Sequence, residues 1–265
     1  MFLPCTPDEI ERLGWDAPDI ILVSGDAYID SPFSGTAVIG RVLTAAGFRV
    51  AMLPQPTLET HDDIRRLGQP RLFWGVSGGC VDSMVANRTA NGKKRMQDDF
   101  TPGGQNTRRP DRAVIAYCNL IRAAFKPCKP LVIGGVEASL RRIAHYDFWS
   151  DSVRRPLLFD AKADILIYGM AEHTVTAVAR ALRDGHDWRG LRGLCYAAPA
   201  DSPGLPADAV RLPDFKAVSP RTTHGFQTFI DMFRAFAANQ SPYTARPLLQ
   251  QVDTRLLVHN PPAYP

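Results

Sequence analysis

The sequence predicts an α/β fold: a flavodoxin- or Rossmann-like parallel sheet with helices on both faces, followed by a C-terminal helix and short strands. Three observations predict it. Short unbroken apolar runs of strand length recur along the first 198 residues, segments of helical periodicity separate them, and four of the first five runs end in glycine. This alternation is the pattern of βαβ units, in which a crossover helix joins parallel strands.

Asp19–Ser24 (DIILVS) is a continuous apolar run closed by Gly25, as a strand buried on both faces requires. Gly35–Gly47 then carries Val38, Ile39, Val42, Leu43 and Ala46 at helical spacing, with Gly47 suited to the C-cap. Phe48–Leu53 (FRVAML) is the second strand, stopped by Pro54 and Pro56. A short helix is placed at Asp62–Leu67 and the third strand at Arg71–Ser77. Residues 78–110 break the rhythm: they are rich in glycine, proline and basic residues, and a segment of that length is functional or disordered. Asp111 is a candidate N-cap for a helix reaching Phe125. Leu131–Ile133 is the fourth strand, closed by Gly134 and Gly135, with a helix starting over Ala138–Ile143. Asp164–Tyr168 is the fifth, closed by Gly169 and followed by a helix over Glu172–Arg183, and Gly193–Ala197 forms a last short strand. Beyond Ala198 the composition changes. Asp201–Pro213 reads as a linker, Thr223–Ala238 as an amphipathic helix with Phe226, Phe229, Ile230, Phe233 and Phe236, and Pro247–His259 as a hairpin turning at Asp253. The expected division is therefore residues 1–198 and 199–265.

A chain of 265 residues can bury a substantial core, and its 45% hydrophobic and 22% charged residues are ordinary for a globular protein. The formal charge of +4 is compatible with an anionic ligand or nucleic acid and demands neither. The start Met1-Phe2-Leu3-Pro4 lacks the features of a signal peptide, and no apolar run reaches the roughly 20 residues of a membrane helix, so a cytoplasmic protein without a membrane partner is expected. The five cysteines, Cys5, Cys80, Cys118, Cys128 and Cys195, form no C-x-x-C pair; they read as reduced thiols, with no metal site. Neither G-x-G-x-x-G after a strand nor G-x-x-x-x-G-K-[ST] occurs, which argues against dinucleotide dehydrogenases and P-loop enzymes.

In an open parallel sheet, ligands bind outside the carboxyl ends of the strands, where glycine lets backbone approach closely. The candidate ligand-binding set at that edge is Gly25, Asp26 and Tyr28 after the first strand, Ser77 and Gly78 after the third, Gly134, Gly135 and Glu137 after the fourth, and Gly169 after the fifth. The 78–110 loop and His145–Trp149, with His145 and Tyr146, are expected to cover it. Carboxylates there serve as acids, bases or ligands, or simply cap helices, and for Glu137 and Glu172 capping is favoured by the macrodipole. Arg141–Trp149 (RRIAHYDFW) combines arginines and aromatics in the manner of nucleic-acid contacts; the alternative is a loop packed on its own aromatic residues. His145 has no partner histidine at ligand spacing and reads as a hydrogen-bonding residue.

The stretches GDAY (25–28), AGFRV (46–50), DSMV (82–85), TPGG (101–104) and RRPDRA (108–113) resemble the start of YgiQ-like radical-SAM proteins. So do IGGVEASLRRIAHYDFWSDSVRR (133–155), DAKADILIYGM (160–170) and VHNPPAYP (258–265). The resemblance covers nearly the whole chain. It implies a cobalamin-binding-like α/β domain over 1–198, then a linker, helix and strands over 199–265 leading to a radical-SAM barrel. In the full-length family that barrel binds a [4Fe–4S] cluster and S-adenosylmethionine through C-x-x-x-C-x-x-C. This chain has no such triad, so no cofactor and no catalytic residue is expected in it. Cobalamin domains carry D-x-H-x-x-G after the first strand; here Asp26-Ala27-Tyr28 lacks the histidine. Three readings follow: an accessory domain docked on the barrel, a module binding a corrinoid or nucleotide-like small molecule, or an RNA-contacting domain.

Overall fold

The computed structural model describes residues 2–264. The first half runs α1 (Pro7–Arg12), β1 (Ile20–Ser24), α2 (Gly35–Ala45), β2 (Val50–Pro54), α3 (Asp62–Arg65), β3 (Phe73–Ser77), α4 (Ser83–Asn87), α5 (Ala113–Ala124), β4 (Leu131–Gly134) and α6 (Gly135–Leu140). There follow β5 (His145–Asp147), β6 (Ser152–Arg154), α7 (Leu157–Asp160), β7 (Ile165–Ile167), α8 (Glu172–Asp184) and β8 (Leu194–Pro199). The last elements are β9 (Val210–Arg211), α9 (Phe215–Val218), α10 (Thr223–Ala238), β10 (Leu248–Val252) and β11 (Arg255–His259).

Nine strands form one sheet in the order β2-β1-β3-β4-β7-β8-β11-β10-β9. The first five of these are parallel, with β1 between β2 and β3, so the expected flavodoxin-like order is what the chain adopts. At β8 the sheet changes direction: β8 is antiparallel to β7 and β11 is antiparallel to β8. β11 therefore runs the same way as β1, β3, β4 and β7. The hairpin β10–β11 turns at Asp253, which takes φ 53° as the tight connection demands. Ala198 pairs with Leu256, so position 198 falls inside a ladder and the strands after it belong to the same sheet.

Strand alternation assigns side chains to two cores. Ile20, Leu22, Phe73, Val132, Ile165 and Ile167 face α2 and α8, which contribute Leu43, Val175, Val178 and Ala179. Ile21, Val23, Trp74, Val76, Leu131, Ile133 and Leu166 face the other side, where Tyr117 and Ile121 of α5, Leu157 and Leu158 of α7 and Met232 of α10 pack.

Three local expectations are corrected. The N-cap of α5 is Arg112 at φ 50°, not Asp111; the Asp111 carboxylate instead accepts from Asn87 Nδ2 (2.9 Å) and Arg88 Nε (2.7 Å). α6 begins at Gly135 rather than Ala138, because φ 82° at Gly135 turns the chain straight from β4 into the helix. Residues 78–110 contain α4 and two isolated bridges, Arg88 to Lys94 and Gln97 to Gln105, rather than an unstructured loop.

Candidate functional site

The α2/α8 face of the sheet loses its side chains toward the carboxyl edge. Alternation places Gly75 and Ser77 of β3, Gly134 of β4 and Gly169, just past β7, on this face, after the bulky Phe73, Val132 and Ile167. The layer that would fill the space beneath the helices is missing there, and a cavity of about 380 Å³ results. Its sheet wall is Leu22, Phe73, Val132 and Ile167, and its opposite wall is Val38 and Ile39 of α2 with Val175 of α8. The first turns of α2 (Gly35, Thr36) and α8 (Glu172) stand at the mouth, beside Cys80. Phe33, Met170 and Val136 form an apolar rim, 92%, 80% and 44% exposed. Open apolar surface of this kind marks a binding face more often than an ordinary one.

Behind the cavity the βα turns are locked by buried charge. Arg109, whose side chain is wholly buried, donates through Nε to the Gly25 carbonyl (3.1 Å) and through Nη2 to Asp26 Oδ1 (2.5 Å) and Asp98 Oδ1 (3.2 Å). Asp26 also accepts from the Cys80 amide (2.6 Å), and Gln55 Nε2 donates to the Gly25 carbonyl (2.9 Å) and Thr101 Oγ1 (2.7 Å). One guanidinium thus ties the first turn to the 78–110 segment. A Cβ at Gly79 (φ 116°) would overlap the Asp26 carboxylate, and one at Gly25 would overlap the Gly78 carbonyl, so backbone packs on backbone here.

Glu137 is equally buried but holds structure together. Its carboxylate accepts from the amides of Ser83 (3.1 Å) and Val114 (3.4 Å), so it caps the starts of α4 and α5 rather than its own helix. Burial pushes its carboxyl above the ordinary range, against the pull of the Ser83 hydrogen bond. Asp82 caps α4 through the Met84 and Val85 amides and pairs with Arg141.

Of the residues singled out in the sequence, Ser77, Gly134, Gly135 and Gly169 line the cavity. Gly25, Asp26, Gly78 and Glu137 lie at the same edge, in the turns behind it. Tyr28 is tied to the N-terminal segment, its hydroxyl accepting from the Leu3 amide (3.1 Å). His145 and Tyr146 belong to the separate β5–β6 hairpin and do not line the cavity: His145 is buried against the Ile143 carbonyl (3.3 Å), and Tyr146 donates to Asp151 (2.7 Å). The sequence reading missed Gly75, Thr36, Phe33 and Met170. The signal for Gly75 was available, since FWGVS puts a glycine on the face of Phe73; that for Phe33 and Met170 was not, because nothing local separates an exposed rim from a core position.

The arginines that evoked nucleic acid are engaged within the chain. Arg141 pairs with Asp82, Arg154 and Arg155 pair with Asp160, and Arg142 lies over the rings of Tyr168 (4.3 Å) and Phe236 (4.9 Å). The residues present do not fit an iron–sulfur cluster: no group of three His, Cys, Asp or Glu among the described residues could hold a metal, and Cys118 and Cys195 are core residues whose thiols burial pushes up. A corrinoid held through a cobalt–histidine bond does not fit either, since no lining residue is histidine and Tyr28 stands where that ligand would be. No helix among the described residues is long and apolar enough to cross a membrane.

The fold is that of a mixed α/β domain with a large, mostly parallel central sheet, and comparison with known proteins places the chain further. A family model described as radical SAM N-terminal matches residues 2–265, and the chain belongs to that family. It is 49% identical over 263 residues to a UPF0313 protein of Fusobacterium nucleatum, covering 99% of this chain and 45% of that protein. A UPF0313 protein of Thermotoga maritima is 47% identical over 268 residues, covering 100% and 46%. The chain therefore spans a little under half the length of these relatives. Among solved structures it is similar to the radical S-adenosylmethionine methyltransferase TsrM of Kitasatospora setae. The form with tryptophan substrate and a SAM analogue bound gives TM-score 0.41 at 19% identity, covering 67% of this chain and 28% of that one. The form with cobalamin and a [4Fe–4S] cluster bound gives 0.42 at 17%, covering 68% and 27%.

Proposed function

We propose that this chain is the N-terminal accessory domain of a longer radical-SAM enzyme, and that it turns its carboxyl edge and the cavity there toward the downstream half. In such an enzyme the cluster and S-adenosylmethionine belong to that half and would supply the radical; the residues described here would bind, orient and shield. The observation that carries this reading is the direction of β11. It runs parallel to β1, β3, β4 and β7, so the chain after His259 emerges at the edge where the cavity opens. That exit is held in place: Asn260 Nδ2 donates to the Arg189 (2.7 Å) and Leu191 (2.6 Å) carbonyls, and the Gly193 amide donates to the Pro261 carbonyl (2.8 Å). A polypeptide continuing from there, as in the relatives of about twice the length, starts from the carboxyl edge on which the cavity also opens.

Two thiols at opposite ends of the sheet test this. Cys80 lies at the cavity mouth, and Cys128 precedes β4 at the amino edge; both are partly exposed. Alkylation followed by peptide mass spectrometry is expected to find Cys80 reacting at least about 10-fold more slowly in a full-length protein carrying this domain than in the 265-residue chain, with Cys128 unchanged. Equal Cys80 rates, or protection of Cys128 instead, would place the downstream half elsewhere.

A further inference from the structure

The cavity has a form that selects its occupant. Its floor is largely peptide backbone, because Ser77, Gly134 and Gly169 present little or no side chain across three adjacent strands, while the Leu22 side chain lies over Gly75. Strands lie about 4.8 Å apart, so this bare floor is roughly 10 Å wide. The depth corresponds to one missing layer of side chains, since the apolar residues of α2 and α8 still form the opposite wall. A slot that is broad, flat and shallow admits a ring face-on and excludes a branched or bulky aliphatic group. About 380 Å³ lies at the lower end of the roughly 300–1,000 Å³ range of small-molecule sites.

The chemistry of the lining agrees. The interior offers Leu22, Phe73, Val132, Ile167 and Val175, with no charged group; the polar side-chain atoms are the Ser77 hydroxyl on the floor and the Thr36 hydroxyl and Glu172 carboxylate at the mouth. At the rim, the ring of Phe33 and the thioether of Met170 project into solvent, positioned to close over an aromatic ring, on which sulfur and aromatic groups pack favourably.

From this shape and lining we infer that the cavity is a slot for a planar, mainly apolar heteroaromatic ring system of one or two fused rings, entering edge-first between the glycine floor and α2/α8 with its polar edge at the mouth. The inference rests on the reading that this cavity is the functional face of the domain, and it goes beyond that reading in naming the class of ligand.

Gly134 provides the test. Its backbone is extended (φ −161°), and a Cβ there would meet only the Ile167 carbonyl oxygen, at 3.4 Å, so Gly134→Leu fills the slot without backbone strain. Phe33→Ala, at a fully solvated rim position, serves as a second variant that folding cannot confound. Indole is titrated into the 265-residue chain by calorimetry, with cyclohexanol as a saturated probe of similar ring size. Saturable indole binding is expected, at least about 10-fold weaker in Gly134→Leu and about 3-fold weaker in Phe33→Ala, with cyclohexanol binding at least about 10-fold more weakly than indole. The inference is overturned by the lack of saturable indole binding, by equal affinity in the wild type and both variants, or by cyclohexanol binding as tightly. Cys80 protection with no indole binding would defeat this inference and leave the accessory role intact; indole binding with unprotected Cys80 would do the reverse.

Discussion

Arg109→Leu is expected to destabilise the chain by about 3–5 kcal/mol, the cost of leaving buried carboxylates without their cation. Asp26 and Asp98 are as deeply buried as Arg109 itself, and neither has another cation within pairing distance among the described residues. The loss should be local before it is global. The Gly25 carbonyl, the Asp26 carboxylate and the Thr101–Asp98 contact (2.5 Å) all meet at this guanidinium, so the 78–110 segment should open first. Urea denaturation measures the total, and limited proteolysis within Gln97–Thr107 measures the opening. Adding Asp26→Asn and Asp98→Asn to Arg109→Leu removes the uncompensated charge and should recover more than half of the loss. A single variant within 1 kcal/mol of the wild type, or a triple variant no better than the single, would mean that another contact holds the segment.

The second large effect is a pH dependence centred on His259. Its ring is fully buried, stacked on Tyr168 (4.7 Å) and edge-on to Phe236 (5.7 Å), and neither ring nitrogen has a hydrogen-bond partner among the described residues. Burial, with the neighbouring Arg142 cation, pushes its pKa down to about 3; burial and Arg141 likewise bring His145 to about 4. The unfolded chain takes up these protons near pH 6.5 while the folded chain does not, so stability is intact above that pH and falls as the pH drops toward 4. At pH 5 the cost is about 2 kcal/mol for His259, from 1.36 kcal/mol per pH unit. His259→Phe keeps the stacking and abandons no hydrogen bond, so it should match the wild type at pH 7 and exceed it by about 2 kcal/mol at pH 5. Urea denaturation at the two pH values decides it; a variant as pH-sensitive as the wild type would show that another group carries the acid lability.

The five parallel strands were legible because each is an unbroken apolar run of strand length, and four of them announce their ends with glycine. The same glycines pointed to the correct edge of the sheet, and Ser77, Gly134, Gly135 and Gly169 do line the cavity. The resemblance carried by 133–155 and 160–170 led to the family that the whole chain matches. The roles of Glu137 and Asp26 were harder to read. For Glu137 capping was the favoured reading and is its role, though at α4 and α5 rather than its own helix. Asp26 looked like a group aimed at a ligand, because a carboxylate after a strand has the same local appearance whether it faces a cavity or pairs with a cation far along the chain.

What the sequence determined by itself was the succession of the five parallel strands with their main crossover helices and the edge at which glycine gathers, set by periodicities that operate over a few residues. The tertiary structure alone decided which face of the sheet is stripped bare, since that depends on Ser77 standing in register with Gly134 across two strands. It alone decided that Arg109 pairs with Asp26 across 83 residues rather than meeting solvent. It also decided that β11 exits at the cavity's edge, because β8 reverses direction and β11, antiparallel to β8, runs again with the parallel strands. Such outcomes follow from which side chains long-range packing can satisfy at once, and no local period encodes them.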